Sequence, residues 1–490
     1  MKKKNVMISK LMLGAAGLAL AACGGSSSST PPPSTTTPPP PVAKSGTVTG
    51  SISGFGSVIV NGDRYATNGA SFDIDGKTGS QSDLKVGQIV TMKTSTDAQG
   101  NKSASSVSFK DAVQGEITAI SLTPKRITVM GQNVVIRGST SFDDDIDPND
   151  INGLTVGDIV QVSGQFNGSG NIVASQIEFA DAADAFELTG NVSALDPVAM
   201  TFKIRGLDVD YSGATLEDFD GADIANGDLV EVKGDSFDGS GAFLALSVEK
   251  EDKEDDGEDG EDGEVEGFIT EFTSAQSFTV GDTPVITDES TVFEYCTADD
   301  LGVDVEVEVE GEFNAEGALV ADKVECEFDA DIHVESTLDA VDAGTGVITI
   351  FGVEFATDMS TRFEDKLETP VEMFGIDDLV AGNYLDVKGF ERADGTLYAK
   401  KIERDEAEDE DEIQDYVDSV DPMAKSLVLL GVTVLTDERT EYEGADDMPL
   451  TGDEFFSMVM PEDLVKAEGT KTEAGELLAS EIEFETPDDE

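Results

Sequence analysis

Beyond Gly46 the chain alternates apolar and polar residues with a period of two. Short runs end in a glycine turn: "VIVNG" from Val58, "ITVMG" from Ile127, "FKIRG" from Phe202, "ITIFG" from Ile348 and "LVLLG" from Leu427. A further alternating run follows at once, as in "VVIRG" from Val134 and "VEFAT" from Val353. Such alternation, punctuated by Gly, Asn and Asp, predicts antiparallel hairpins. No long window carries a helical period. Little helix is therefore predicted past the first 22 residues, beyond a turn before the strand considered next.

That strand is written repeatedly. "LTVGDIVQVSGQF" runs from Leu154 to Phe166, with near-copies "LKVGQIVTMK" from Leu84, "IANGDLVEVKG" from Ile224 and "LVAGNYLDVKG" from Leu379. Aligned on Gly87, Gly157, Gly227, Gly302 and Gly382, the copies are spaced by 70, 70, 75 and 80 residues. A degenerate sixth, "PEDLVKAEG" from Pro461, lies at the next interval. An aromatic precedes each in an acidic loop: Phe72, Phe142, Phe219, Phe293, Phe363 and Tyr442. A closing strand follows: "ASQIEF" from Ala174, "ADKVEC" from Ala321, "AKKIE" from Ala399 and "ASEIEF" from Ala479. Self-similarity at a steady interval marks an array. Five or six short strands in each unit suit a small closed barrel, because closure removes exposed edges; a β-sandwich is the alternative.

The expected fold class is all-β, a tandem array of about six small antiparallel β-barrels. The units are read as residues 46–113, 114–186, 187–250, 264–330, 331–404 and 412–490, with acidic linkers at 251–263 and 405–411. The recurring L-x-V-G-D-x-V-x-V-x-G strand and A-x-x-[IV]-E closing strand resemble the domain of unknown function 5666 family, repeated in bacterial lipoproteins. That resemblance implies an OB-like barrel for each unit and brings no catalytic residues. The sixth copy departs from the pattern, lacking the glycine before Asp463.

The N-terminus bears on location. Lys2, Lys3, Lys4 and Lys10 precede an apolar run from Leu11 to Ala22, which ends in "LAAC" at Cys23. A basic head, a short apolar body and small residues before a cut are the parts of an export signal. The run is too short for a spanning helix. The small residues before Cys23 resemble a bacterial lipobox, which implies removal of residues 1–22 and lipidation of Cys23. Acyl chains there would hold the protein to a membrane. Gly24, in place of Asp, favours the outer membrane by resemblance to enterobacterial sorting. Residues 23–45, rich in Ser, Thr and Pro, have little to bury and are expected to form a disordered tether.

The formal charge of −71, or −75 without the four signal lysines, excludes most of one function class. OB-like barrels that bind nucleic acid need a basic groove. Here only the first unit is neutral, with six basic and six acidic residues between Gly46 and Val113. No nucleic-acid partner is expected. A solvated acidic surface is the plain reading; divalent cation capture by oxygen clusters is the sharper one. Its candidates are Asp143, Asp144, Asp145, Asp147 and Asp150, five carboxylates in one loop. "DKEDDG" from Asp252 resembles the start of an EF-hand loop, but Glu254 and Gly263 occupy ligand positions badly.

Cys296 and Cys326 both lie in the fourth unit. In an exported protein such a pair is expected to form a disulfide; two free thiols or a metal pair are the alternatives. His333 is the sole histidine, expected on a first strand facing solvent, so histidine-based catalysis has little to draw on. No nucleophile elbow, P-loop or C-x-x-C occurs. No enzyme activity and no cofactor are expected. The primary expectation is a non-catalytic structural or interaction array at the cell envelope, with an envelope protein or glycan as partner. The alternative is a binding module for divalent cations or surface glycans.

Overall fold

The computed structural model describes residues 44–485 apart from 123, 181–185, 220–221, 252–256, 329, 368, 372, 393–394, 409, 445–447 and 462. Cys23, the signal segment and most of the tether lie outside the described residues, as does most of the EF-hand-like stretch. The chain is all-β, and its described α-helix, Gly452–Met458, is seven residues long. No helix among the described residues is long and apolar enough to cross a membrane.

Each repeat follows one plan. In the second, strands Val113–Leu122, Lys125–Val129, Gln132–Phe142, Ile159–Phe166 and Ile172–Phe179 form a five-strand ring. The first pairs with the second and fourth, the second with the third, the third in parallel with the last, and the fourth with the last. The alternating pattern drives this closure, because inward residues such as Ile117, Ile127, Val129, Val134, Val160, Val162, Ile172 and Ile177 are almost completely buried. The same ring closes in the fourth repeat through Asp262–Ser274 and Ser277–Val280, and in the fifth through Ile332–Asp342 and Val347–Ile350. Phe72, Phe293, Phe363 and Tyr442 sit on short strands parallel to the closing strand, as Phe293 beside Val324 and Tyr442 beside Ile482, whereas Phe142 ends the third strand and Phe219 follows the short strand Thr215–Glu217. Phe142, Phe219 and Tyr442 are buried; Phe72, Phe293 and Phe363 are half-buried.

The recurring glycine has a structural cause. Gly87, Gly157, Gly227 and Gly382 take φ between 88° and 104°. Each donates its N–H to the carbonyl of a buried first-strand residue: Ile52, Ile117, Val192 and Leu338 respectively. The residue after each glycine accepts that same residue's N–H. This two-bond clamp holds the bent first strand against the fourth, and the left-handed backbone it requires favours glycine. In the fourth repeat the clamp residue is Asp304, not Gly302. Asp304 has φ 73° and donates to Ile269, whose N–H reaches Val305. The alignment on Gly302 was therefore two residues early, because Asp is among the few residues that tolerate this conformation. Short 3₁₀ turns precede the fourth strand at Gln81–Asp83, Ile151–Gly153 and Ile376–Asp378.

The repeats associate in pairs, not all of them sequential. The first strand of repeat one runs parallel to that of repeat four, with Gly46–Thr49 opposite Asp262–Val265. Repeats two and three join through Val113–Gln114 and Glu187–Leu188. Repeats five and six join through His333–Glu335 and Glu412–Gln414. Repeats two and three share one apolar core, as do five and six, whereas one and four keep separate cores.

Candidate functional site

The acidic loop of the second repeat does not gather its carboxylates. Asp143 is ion-paired to Lys85 of the first repeat, which also holds Glu178. Burial of Asp143 opposes its charge, but the Lys85 contact lowers its pKa overall. Asp144 lies 3.0 Å from Lys366 of the fifth repeat. Asp150 accepts the Asn152 N–H at 2.7 Å and caps the 3₁₀ turn. Asp145 directs its backbone N–H to Asp143, and neither it nor Asp147 joins a carboxylate cluster. The loop works as a clamp between repeats. Among the described residues, carboxylates converge instead as Asp75–Glu187–Glu231, Glu231–Glu249–Glu251 and Glu443–Glu481–Glu483, with oxygens of each set within 4.8 Å of one another. Cys296 and Cys326 form a disulfide that closes a separation of 30 residues and ties the aromatic loop of the fourth repeat to its closing strand.

The junction of repeats one, two, four and five concentrates charge in the interior. Arg362 is 7% exposed, donating to Ser139 O at 3.0 Å and Ser51 Oγ at 2.6 Å. Arg137 lies 3.0 Å from Glu306, and Lys400 lies 3.5 Å from Glu327. Burial raises the Glu306 pKa, but Lys400 and Arg137 outweigh it and hold the carboxyl low. Glu327, where burial prevails over Lys400, is pushed up to about 7. Lys401, 1% exposed, donates to Thr140 O at 3.2 Å and lies 3.0 Å from Glu403. Buried charges persist only when paired and hydrogen-bonded. Here Arg137 with Glu306 and Lys400 with Glu327 pair charges between repeats, Arg362 and Lys401 donate to oxygens of other repeats, and Glu403 pairs Lys401 within the fifth. Sequence alone does not reveal these residues because their partners in other repeats lie from 73 (400 − 327) to 311 positions away; the available signal is scarce cations recurring on outward strand positions.

Beside this junction lies a cavity of about 1260 Å³, lined in part by Arg137, Glu306, Phe390, Gln414, Tyr416 and Lys466. His333 lines it as well. The expectation of a solvent-facing histidine is corrected: the side chain is 17% exposed, with Nε2 2.7 Å from Asp386 Oδ1 and Nδ1 2.5 Å from Glu412 Oε1. The approach is ionic rather than directional, since Nε2 and both oxygens lie off hydrogen-bond geometry. Burial works against the imidazolium, yet Asp386 and Glu412 outweigh it and raise the pKa to about 10. Glu412 is drawn down to about 2, burial opposing and His333 prevailing. His333 stands on the first strand of the fifth repeat and Glu412 on that of the sixth, so the ion triad joins the two. A histidine locked as a cation serves as a structural counter-charge, not as a base.

A solved structure titled "drosophila Unr CSD456" is 14% identical, with 45% of this chain and 98% of that chain covered and a TM-score of 0.14, too low for the two to share an overall arrangement. No curated protein matches. The family model described as "Domain of unknown function (DUF5666)" matches at residues 45–108, 114–178, 189–249, 266–325, 335–403 and 416–483. The sixth match falls on the copy whose turn lacks its glycine, where Val417 still donates its N–H to Asp463 O at 2.9 Å, one bond of the clamp. Six β-repeats and six matches across most of the sequence agree: the chain belongs to the domain of unknown function 5666 family.

Proposed function

We propose that this chain is a non-catalytic body of the bacterial cell envelope, anchored to the outer membrane by a lipidated Cys23 and acting through the surface it presents. The observation that supports this reading is the use each barrel makes of its charged faces. Arg362, Lys401, Lys366 and Arg137 neutralise or bind groups of other repeats, and the one histidine is held between two carboxylates. Charged side chains so engaged build a scaffold; they are not poised to transfer protons or attack a substrate. The test combines metabolic labelling with a palmitate analogue, membrane fractionation and in-cell cross-linking. Wild type is expected to take up label, to sediment with outer membranes and to cross-link reproducibly to a defined envelope partner. Cys23→Ser is expected to lose label and sedimentation together. Label-free wild-type protein in the soluble fraction would overturn the anchoring, and the absence of a reproducible partner would overturn the interaction role.

The cavity supports a second reading, a site for a small polar ligand such as a glycan segment. Tyr416, Phe328 and Phe390 add aromatic rings to the lining, and Asn149, Asn152, Asn167 and Gln414 add amides. A glycan array probed with the purified chain discriminates the two. Binding that Tyr416→Ala abolishes favours the ligand site, and a blank array favours the scaffold.

A further inference from the structure

A different face carries a site of its own. On the outside of the third repeat, Glu231 of the fourth strand stands directly opposite Glu249 of the closing strand. Like charges in that register are destabilising. Glu251, two positions on, points to the same side, and the three carboxylates place oxygens within 4.8 Å of one another. Glu231 also belongs to a second such set with Glu187, on the first strand of the same repeat, and Asp75, which comes from the first repeat. Asp75 is held in place by its N–H, donated to Phe109 O at 3.0 Å, and by its Oδ1, which accepts the Asp111 N–H at 3.2 Å.

Lysines reach this cluster without filling it. Lys110 takes Glu251 Oε2, while Lys233 lies 2.8 Å from Glu187 Oε2 and 3.0 Å from Glu231 Oε2. Five carboxylates face two ammonium groups where Glu231 is 5% exposed, and burial there pushes the Glu231 carboxyl up to about 7. Independently, Glu251, whose side chain is 10% exposed, pairs Lys110 through Oε2 but leaves its buried Oε1 with no hydrogen-bond partner. A buried carboxylate oxygen without a partner is expensive, and an unseen cation is a common resolution.

We propose that Glu231, Glu249 and Glu251, supported by Glu187 and Asp75, bind a calcium ion that staples the third repeat to the first. The size fits: three oxygens all within 4.8 Å of one another lie no more than about 2.8 Å from a shared centre, so a small side-chain adjustment brings them to the calcium–oxygen range of about 2.3–2.6 Å. Calcium takes six to eight oxygens in flexible geometry, so waters complete the shell; magnesium demands a tighter octahedron. The loop of Asp143 to Asp150 is not this site, because its carboxylates are spent on Lys85, Lys366 and a cap. The proposal is independent of the anchoring read from Cys23.

The test is calcium titration of the chelator-stripped full chain in detergent, by calorimetry at about 0.15 M salt, where loose surface screening is weak. One saturable calcium site is expected, with a melting temperature that rises with calcium. Glu251→Gln and Glu231→Gln are each expected to weaken that site by roughly tenfold or more. Asp145→Asn is expected to leave it unchanged. Glu249→Gln, at a more open position, replaces any variant whose circular dichroism shows loss of strand. Diffuse, non-saturating heat in the wild type, or equal affinity in folded Glu251→Gln and Glu249→Gln, would overturn the proposal.

Discussion

His333→Gln probes the joint between the fifth and sixth repeats at one atom pair on each side. The imidazole pKa is raised from 6.5 to about 10, burial opposing and Asp386 and Glu412 prevailing. A folded pKa above the unfolded one contributes stability that is fully present below pH 6.5. The contribution falls by about 1.4 kcal/mol per pH unit above that and is gone beyond pH 10. The full interval sets a ceiling of about 5 kcal/mol, in the range of about 3–5 kcal/mol seen when one partner of a buried ion pair is removed. Lys388 and Lys466 remain near the orphaned carboxylates, so the lower end of that range is expected. Because the chain has one histidine, its imidazole proton resonance is unambiguous and its titration can be followed directly. Urea unfolding of wild type and His333→Gln at pH 6, 8 and 10.5 should show a gap that is widest at pH 6 and narrows steadily. An imidazole midpoint near 6.5, or a gap independent of pH, would refute the ion triad.

Three further outcomes are expected. Gly311→Ala should cost about 1–3 kcal/mol in chemical denaturation, because its Cβ would fall inside the radius of Val320 O at a β-bulge between Glu310 and Gly311. Replacing Cys296 and Cys326 by serine should lower stability by about 3–4 kcal/mol through the 30-residue separation they close, measured against the oxidised protein in the same urea series. Glu308→Gln should stabilise the chain at pH 8: burial, then Glu264, push the Glu308 carboxyl up to about 10, so wild-type stability declines as pH rises from 4.5 toward that value. A gain of roughly 1–2 kcal/mol at pH 8, shrinking to nothing near pH 4, is the expected thermal or urea result.

The barrel plan was legible because it is local. Alternation between Val58 and Val60, or Ile348 and Ile350, states which residues face inward, and the left-handed turn writes a glycine at Gly87, Gly157, Gly227 and Gly382. Where another residue type tolerates that backbone, as at Asp304, the same signal misleads by two positions. The association of repeats was not legible, since six units with one pattern offer similar edges. Nothing in the neighbourhood of Gly46 names Asp262 as its partner. His333 was misjudged for the same reason: alternation places it outside its own barrel but does not reveal Asp386 and Glu412 waiting there. The calcium-site carboxylates were hidden among 102 acidic residues, where only three-dimensional convergence distinguishes Glu231, Glu249 and Glu251 from the rest.

The parallel pairing of Gly46–Thr49 with Asp262–Val265 constrains how the chain matures. A ribosome delivers the first repeat long before the fourth. Repeats two and three, neighbours in sequence, can close their shared core as soon as they emerge. The edge at Gly46–Thr49 must wait through more than 200 residues of synthesis for its partner. During that interval it is an unsatisfied template for any passing strand. Its resistance to wrong partners then rests on its own composition, Gly46, Thr47 and Thr49 being small or polar, and on the speed with which the later repeats arrive. Assembly of this family member is thus an ordered sequence of events, in which the second and third repeats can join before the first is completed by the fourth, and the fifth and sixth join after that.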